Sequence, residues 1–90
     1  MNEEQKVWLV VSEWSNGRRF EHDTYIQVRG SYESAHAEFE YIKEEAFECF
    51  RNVYNEDDVI LDEANDGAEI YTENYEDFWE GYIYETKVIN

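Results

Sequence analysis

Residues 7–14 have the sequence VWLVVSEW, in which alternate side chains point to opposite sides as they do in a β-strand. Both faces of this strand are apolar at its start, which favours a central position in a sheet. Asn16-Gly17 follows at once. This pair predicts a two-residue type I′ turn, because both central positions of that turn need a positive φ. We therefore predict a hairpin whose return strand runs over 19–28.

A helix is predicted over 32–54, with Ser31 as its N-cap. Apolar side chains recur through it at steps of three and four, which is typical of a helix lying on a sheet. The spacing leaves open whether Cys49 or Phe50 continues this stripe, and the position of Cys49 predicts a buried structural thiol. The predicted core consists of Trp8, Val10, Ile26, Phe39, Ile42, Ala46 and Val53.

The second half of the chain predicts more strands. After a polar break at 55–58, residues 59–61 predict a short strand or a buried loop, and 65–67 predict a turn. Alternation over 69–73 and 79–89 predicts two further strands, and Gly81 within the last one indicates a bulge or a close packing contact. The predicted fold class is α+β: a single amphipathic helix packed on an antiparallel sheet of four to five strands, in the order ββα(β)ββ, as one domain over 1–90.

The chain is strongly acidic, with 23 Asp and Glu against 7 Lys and Arg and a formal net charge of −16. An aromatic content of 18% provides material for a core, so we expect a folded acidic surface and not a disordered acidic tail. Such a surface suits a basic partner, although adaptation to high salt or simple solubility is an alternative explanation. Direct binding to nucleic acid is not expected, because phosphate contacts need Lys and Arg.

The sequence offers no pattern typical of an enzyme. It lacks a Ser-His-Asp order and a Gly-rich phosphate loop, and His22 and His36 have no Cys or His at ligand spacing. We therefore expect a protein without catalytic residues, cofactor or metal. The polar first residues and the absence of a run of about 20 apolar residues predict a cytoplasmic protein without a membrane span. A single cysteine excludes an internal disulfide.

The helix carries like charges where alternating signs would stabilise it. Glu40, Glu44 and Glu48 follow one another at i,i+4, and each such pair costs a few tenths of a kcal/mol. Four helical residues advance about 6 Å, close to two phosphate steps of about 3.4 Å along a DNA strand. Carboxylates at this spacing suit a groove built for phosphates, although a solvated charged face explains them as well.

Aromatic side chains accompany the acids in the last third of the chain. Tyr71, Tyr75 and Trp79 are candidate interface anchors, with core packing as the competing role, above all for Trp79. The candidates are distributed over the helix, the 55–67 segment and the last strands. The candidate partner-binding residues are Glu40, Glu44, Glu48, Asp57, Asp58, Asp62, Glu63, Asp66, Tyr71, Glu73, Tyr75, Glu76, Asp77, Trp79 and Glu80.

Three segments resemble a loose class of small acidic proteins encoded by phages and mobile elements. They are residues 7–15 (VWLVVSEWS), the helix start 32–39 (YESAHAEF) and the closing 83–88 (IYETKV). Some proteins of this kind are anti-CRISPR or anti-restriction inhibitors that cover the DNA-binding surface of a host nuclease. The resemblance implies a non-enzymatic nucleic-acid mimic acting in the host cytoplasm on a basic nucleic-acid-binding protein, and it carries over no functional residue.

Two alternatives remain open at this point. An immunity or antitoxin protein that blocks a basic toxin nuclease would use the same electrostatics. A phage accessory protein whose acidity serves only solubility would not depend on individual carboxylates.

Overall fold

A computed structural model describes residues 4–16, 21–72 and 77–89 of the chain. Its elements are β1 (Glu4–Asn16), β2 (Glu21–Arg29), α1 (Tyr32–Val53), a short 3₁₀ turn (Glu56–Asp58), β3 (Val59–Ala64), β4 (Gly67–Thr72) and β5 (Asp77–Ile89). The strands form one antiparallel sheet in the order β2-β1-β5-β4-β3. One helix on a five-stranded antiparallel sheet confirms the predicted α+β class.

The long strands β1 and β5 lie inside the sheet, as the two apolar faces of β1 predict. They pair from Glu4↔Ile89 to Asn16↔Asp77 without interruption. On its other side β1 pairs with β2, and the last pair is Asn16↔Glu21. Asn16 is therefore the final residue of β1 and not a central residue of a two-residue turn, so that prediction is wrong at Asn16. Residues 17–20 lie outside the described part of the chain.

The sheet has one face under α1, which we call the covered face. In β1 this face carries Trp8, Val10, Ser12 and Trp14, since every second side chain of a strand points to the same side of the sheet. Trp14 contacts the helix directly, with its ring 4.9 Å from that of Phe50. The core between helix and sheet consists of Val10, Ala35, Phe39, Ala46, Phe50, Ala68, Ile70 and Trp79.

The opposite side, which we call the open face, has no layer upon it among the described residues. In β1 it carries Val7, Leu9, Val11 and Glu13. Cross-strand pairing then assigns the residues of the other strands, since directly paired side chains share a face. These are Thr24, Ile26, Val28, Ile60, Asp62, Ala64, Gly67, Glu69, Tyr71, Phe78, Glu80, Tyr82, Tyr84, Thr86 and Val88.

Ile26 is 60% exposed on the open face, so its prediction as a core residue is wrong. The alternation of β2 separates its two faces, but it does not say which one the helix covers. The helix lies on the side of Tyr25 and Arg29, because both side chains hydrogen bond to Glu38 of α1. The apolar side of β2, with Ile26 and Val28, is left in solvent.

The helix begins and ends close to the predicted residues, but its apolar stripe differs near the end. Ser31 caps the first turn, because its hydroxyl accepts a hydrogen bond of 3.1 Å from the amide of Ser34. The stripe ends in steps of four, through Phe50 to Tyr54, whose rings lie 6.1 Å apart. Cys49 and Val53 therefore fall off the stripe and are exposed, which corrects both predictions of burial.

Gly81 explains how a large indole fits on the covered face. Its strand pairs continuously with β1 and β4, so the glycine marks a packing contact and not a bulge. A Cβ at this position would lie 2.4 Å from Cη2 of Trp79, far inside contact distance. The indole of Trp79 occupies the space that any other residue at 81 would fill.

Candidate partner-binding surfaces

The three predicted helix glutamates do not share one environment. Glu40 forms an ion pair of 2.8 Å with Lys43 and lies 3.6 Å from His36. Lys43 also contacts Glu63 of β3 at 2.7 Å. Glu44 and Glu48 are exposed and have no ion pair within the described residues. The helix array is thus partly neutralised by cations of the chain itself.

Lys43 stays charged within this group. Its partial burial lowers the pKa of the ammonium group, but the hydrogen bonds to Glu40 and Glu63 outweigh burial and leave the pKa above its ordinary value. The two carboxylates of this group are therefore less available to an outside cation than Glu44 or Glu48.

A shallow depression of about 490 Å³ lies beside Glu44 and Glu48. A cation of the chain lines it, since Arg51 borders the depression and its guanidinium lies 5.7 Å from the centre of the Phe47 ring. The same group lies 3.6 Å from Glu56. Phe47, which the sequence places at the edge of the apolar stripe, is half-buried against the core.

A second array of carboxylates crosses the open face. Glu13 pairs directly with Glu80, Glu80 with Glu69, and Glu69 with Asp62. We call these four residues the carboxylate row. Adjacent strands lie about 4.8 Å apart, so the row spans about 14 Å. Directly opposed like charges destabilise a sheet, and this sheet places them on four neighbouring strands.

Sequence reasoning identified Asp62 and Glu80 of this row but missed Glu13 and Glu69. Alternation alone puts Glu13 on the side of Val7 and Glu69 on the side of Tyr71, and that signal was present in the sequence. The row itself depends on the register between four strands, which alternation does not provide.

Tyrosine hydroxyls hold several carboxylates in place. They donate hydrogen bonds from Tyr25 to Glu38 (2.5 Å), from Tyr32 to Asp66 (2.6 Å), from Tyr71 to Asp62 (2.8 Å) and from Tyr54 to Asp77. Hydrogen bonds to the carboxylates raise the pKa of Tyr25 and Tyr32, and a bond to Glu45 raises that of Tyr41. A phenol orients a carboxylate by donating a hydrogen bond and brings no positive charge to it.

The Glu38 carboxylate is held between the helix and β2 by two side chains. The Glu38 side chain is 11% exposed, and the Nε atom of Arg29 donates to it over 2.6 Å. This hydrogen bond lowers the pKa of Glu38 against the effect of burial, and the Tyr25 hydroxyl lowers it further. Glu38 therefore anchors the helix to β2, and it is not free for a partner.

The remaining candidates lie at separate places. Asp57 and Asp58 are exposed in the 3₁₀ turn, and Asp66 lies in the turn between β3 and β4. Tyr71 is half-buried on the open face, where its ring stacks on Phe78 with the centroids 6.2 Å apart. Glu73, Tyr75 and Glu76 lie outside the described residues.

Two candidates are buried, so neither offers a contact surface in this fold. Asp77 is 7% exposed and accepts a hydrogen bond from Tyr54 beneath the end of the helix. Trp79 is 3% exposed and belongs to the core. Both alternate onto the covered face, since Asp77 pairs with Asn16 and Trp79 with Trp14. The strand phase that places Glu80 on the open face necessarily turns its neighbour Trp79 inward.

The fold and these surfaces define a small α+β protein with an acidic, half-apolar sheet face. Comparison of the chain with family models, curated proteins and solved structures gives no match. Among the described residues, no group of three or more His, Cys, Asp or Glu is placed to hold a metal ion. The described helix is also too polar to span a membrane.

Proposed function

We propose that this chain is a non-enzymatic inhibitor from a phage or mobile element, which presents carboxylates to the nucleic-acid-binding surface of a host defence nuclease of the CRISPR or restriction type. The carboxylate row carries the proposal. It places four acidic residues side by side on neighbouring strands, which lie about 4.8 Å apart. The strand spacing is of the same order as the rise along the helix axis per phosphate of one nucleic-acid strand, about 3.4 Å.

The electrostatics of the chain support this proposal. A net charge of −16 steers a basic protein toward the chain, and the acids of the open face have no described Lys or Arg beside them. The row is unfavourable to the isolated fold. A basic partner would relieve that repulsion, and its nucleic-acid-binding groove is where Lys and Arg are concentrated.

Displacement of DNA tests the proposal. The chain is titrated into complexes of labelled DNA with a guide-loaded CRISPR effector and with a restriction endonuclease, at low and high salt. We expect release of DNA from at least one nuclease, with an inhibition constant that rises steeply with salt. An absence of displacement at low salt, or displacement that is equal at both salt concentrations, would contradict the proposal.

Two double variants distinguish the effect of where the carboxylates lie from the effect of the total charge. Glu69→Lys with Glu80→Lys, and Asp57→Lys with Asp58→Lys, each change the net charge from −16 to −12. We expect the first pair to weaken displacement much more than the second. Equal effects would favour acidity that acts through net charge alone.

A further inference from the structure

The open face combines its carboxylates with an apolar surface that a monomer would usually cover. Ile26, Val28, Tyr84 and Val88 are 60%, 54%, 57% and 43% exposed. They adjoin one another through direct pairs of Leu9 with Val28 and with Tyr84. Contiguous exposed apolar side chains mark interaction surfaces, whereas single exposed apolar side chains are ordinary on a soluble protein.

A concave pocket interrupts this face next to the carboxylate row. Ala64 of β3 pairs with Gly67 of β4, and Gly67 pairs with Tyr82 of β5. Beside the Tyr82 ring, β3 and β4 therefore carry only a methyl group and a hydrogen atom. The resulting depression has a volume of about 300 Å³, and Asp62, Glu69 and Glu80 line it with Tyr82. We call it the acidic pocket. An aromatic wall and three carboxylates suit a guanidinium or ammonium group.

No cation of the described chain fills this pocket. Within the described ranges, the Lys and Arg residues are Lys6, Arg29, Lys43, Arg51 and Lys87. Lys6, Arg29 and Lys87 alternate onto the covered face, and Lys43 and Arg51 belong to the helix. None of the five lines the pocket. In this respect the acidic pocket differs from the depression on the helix, which Arg51 lines.

A second copy of the chain is a poor occupant. It would bring a net charge of −16 against the same charge, and its own open face carries the same carboxylate row. Self-association would therefore add repulsion to that already present within each sheet.

We infer that the open face is the surface that docks the partner, which inserts an Arg or Lys side chain into the acidic pocket and packs apolar side chains on either side of it. This inference rests on the proposed function, of which it names the contact surface. Along the strands the open face runs from Leu9 and Tyr84, past Tyr82, to the carboxylate row and then Phe78. Val11, which pairs with Tyr82, is only 7% exposed and offers little contact area. An extended partner segment with two apolar residues, one cation and one apolar residue at every second position matches that order.

A capped peptide of sequence Leu-Ser-Leu-Ser-Arg-Ser-Leu is the probe. Its controls are a peptide with Ser in place of every Leu and a peptide with Gln in place of Arg. Amide chemical shifts of the labelled chain follow each titration. We expect the probe to bind at least about tenfold more tightly than either control, a difference of about 1.4 kcal/mol. The largest shifts should fall in β1, β4 and β5. Equal binding of the three peptides, or shifts confined to α1, would overturn the inference.

Matched variants test the pocket directly. Glu80→Gln removes one pocket carboxylate without adding bulk, and Glu44→Gln removes one carboxylate from the helix. We expect Glu80→Gln to weaken probe binding about fivefold or more, and Glu44→Gln to leave it nearly unchanged. A larger loss from Glu44→Gln would overturn the inference. Sedimentation of the chain alone should show a monomer, and a dimer abolished by Tyr84→Ser would make a second copy the occupant.

The two proposals fail in different ways. If the probe binds the open face but the chain displaces DNA from neither nuclease, the proposed function fails and the docking surface stands. If DNA is displaced, and Glu44→Gln with Glu48→Gln abolishes displacement while Glu80→Gln does not, the docking surface fails and the proposed function stands.

Discussion

The covered and open faces come from the same strands, yet they differ in what their side chains contact: the helix on one face, and solvent on the other. The covered face holds Trp8, Trp14 and Trp79, all three tryptophans of the chain, and the helix packs upon them. The open face holds aliphatic side chains and tyrosines together with the carboxylate row. Burying the larger aromatic surface gives the greater gain, because the hydrophobic contribution scales with apolar area. The carboxylates of the row stay on the side where water, or a partner, can reach them, whereas Asp77 on the covered face is buried.

The largest expected difference between the faces is in packing. Phe39 is 1% exposed, so Phe39→Ala should reduce the free energy of unfolding by roughly 3–5 kcal/mol. Ile26→Ala on the open face should stay within about 1 kcal/mol. Urea denaturation measures both, with Phe39→Leu as a milder variant if Phe39→Ala does not fold. Comparable losses at the two positions would mean that the open face is covered in solution.

The two strand glycines provide a second contrast. Gly81→Ala should destabilise the fold by roughly 1–3 kcal/mol, because the new Cβ would lie 2.4 Å from Trp79. Gly67→Ala on the open face meets its nearest atom at 3.5 Å, an ordinary contact, and should lose no more than about 0.5 kcal/mol. Thermal melts followed by tryptophan fluorescence measure both variants. If Gly81→Ala is as stable as Gly67→Ala, the indole of Trp79 is not packed over residue 81.

Glu38 links the helix to the sheet in a pH-dependent way. Its pKa lies below the ordinary value of 4.5 in the folded chain, because Arg29 hydrogen bonds to the charged form. A lowered pKa adds stability above the unfolded value, and that stability is lost as the pH falls through the folded value. Glu38→Gln should therefore lower the melting temperature at about pH 7, and the difference should vanish below the folded pKa.

Melting curves from about pH 7 to about pH 3 measure this effect. Glu44→Gln is the control, since Glu44 is exposed and has no ion pair within the described residues. It should not lower the melting temperature. A constant deficit of Glu38→Gln at all pH values would assign its role to packing.

The smallest expected effect has the opposite sign. Glu80→Gln should stabilise the chain by about 0.2–1 kcal/mol at low salt, because it removes a like charge between Glu13 and Glu69. The gain should fade at about 1 M salt, where the screening length is about 3 Å. Glu85→Gln on the same strand is the matched control, because Glu85 pairs with Lys6 at 3.5 Å and should bring no gain. A loss of stability from Glu80→Gln would mean that its carboxylate is bound within the fold.

The sequence predicted the elements better than the surfaces. The strand alternation, the Ser31 cap and the apolar spacing of the helix each reflect local geometry, and they were enough for the α+β class and for a buried Phe39. The side of β2 on which the helix lies depends on Tyr25 and Arg29 reaching Glu38, which is a tertiary contact. Local spacing therefore misplaced Ile26 in the core.

The candidate surfaces show the same division. The sequence nominated acidic residues as a class, but it could not order them across strands. Asp62 and Glu80 were candidates, whereas Glu13 and Glu69 emerged only with the register of the sheet. Asp77 is buried and not at the surface, and Trp79 has the core role that the sequence analysis gave as its alternative. Both follow from the phase of β5, which depends on which of its faces meets the helix.

The tyrosine hydroxyls that orient the carboxylates bear on the entropy of binding. A partner that immobilises a freely rotating acidic side chain loses about 0.5–1.5 kcal/mol of favourable free energy for each one. At the rim of the acidic pocket, Tyr71 already holds Asp62 at 2.8 Å, and its ring is stacked on Phe78. That rotational freedom is lost on folding, before any partner arrives. A lysine in place of the tyrosine would also restrict the carboxylate, but it would cancel the charge that a cationic partner requires.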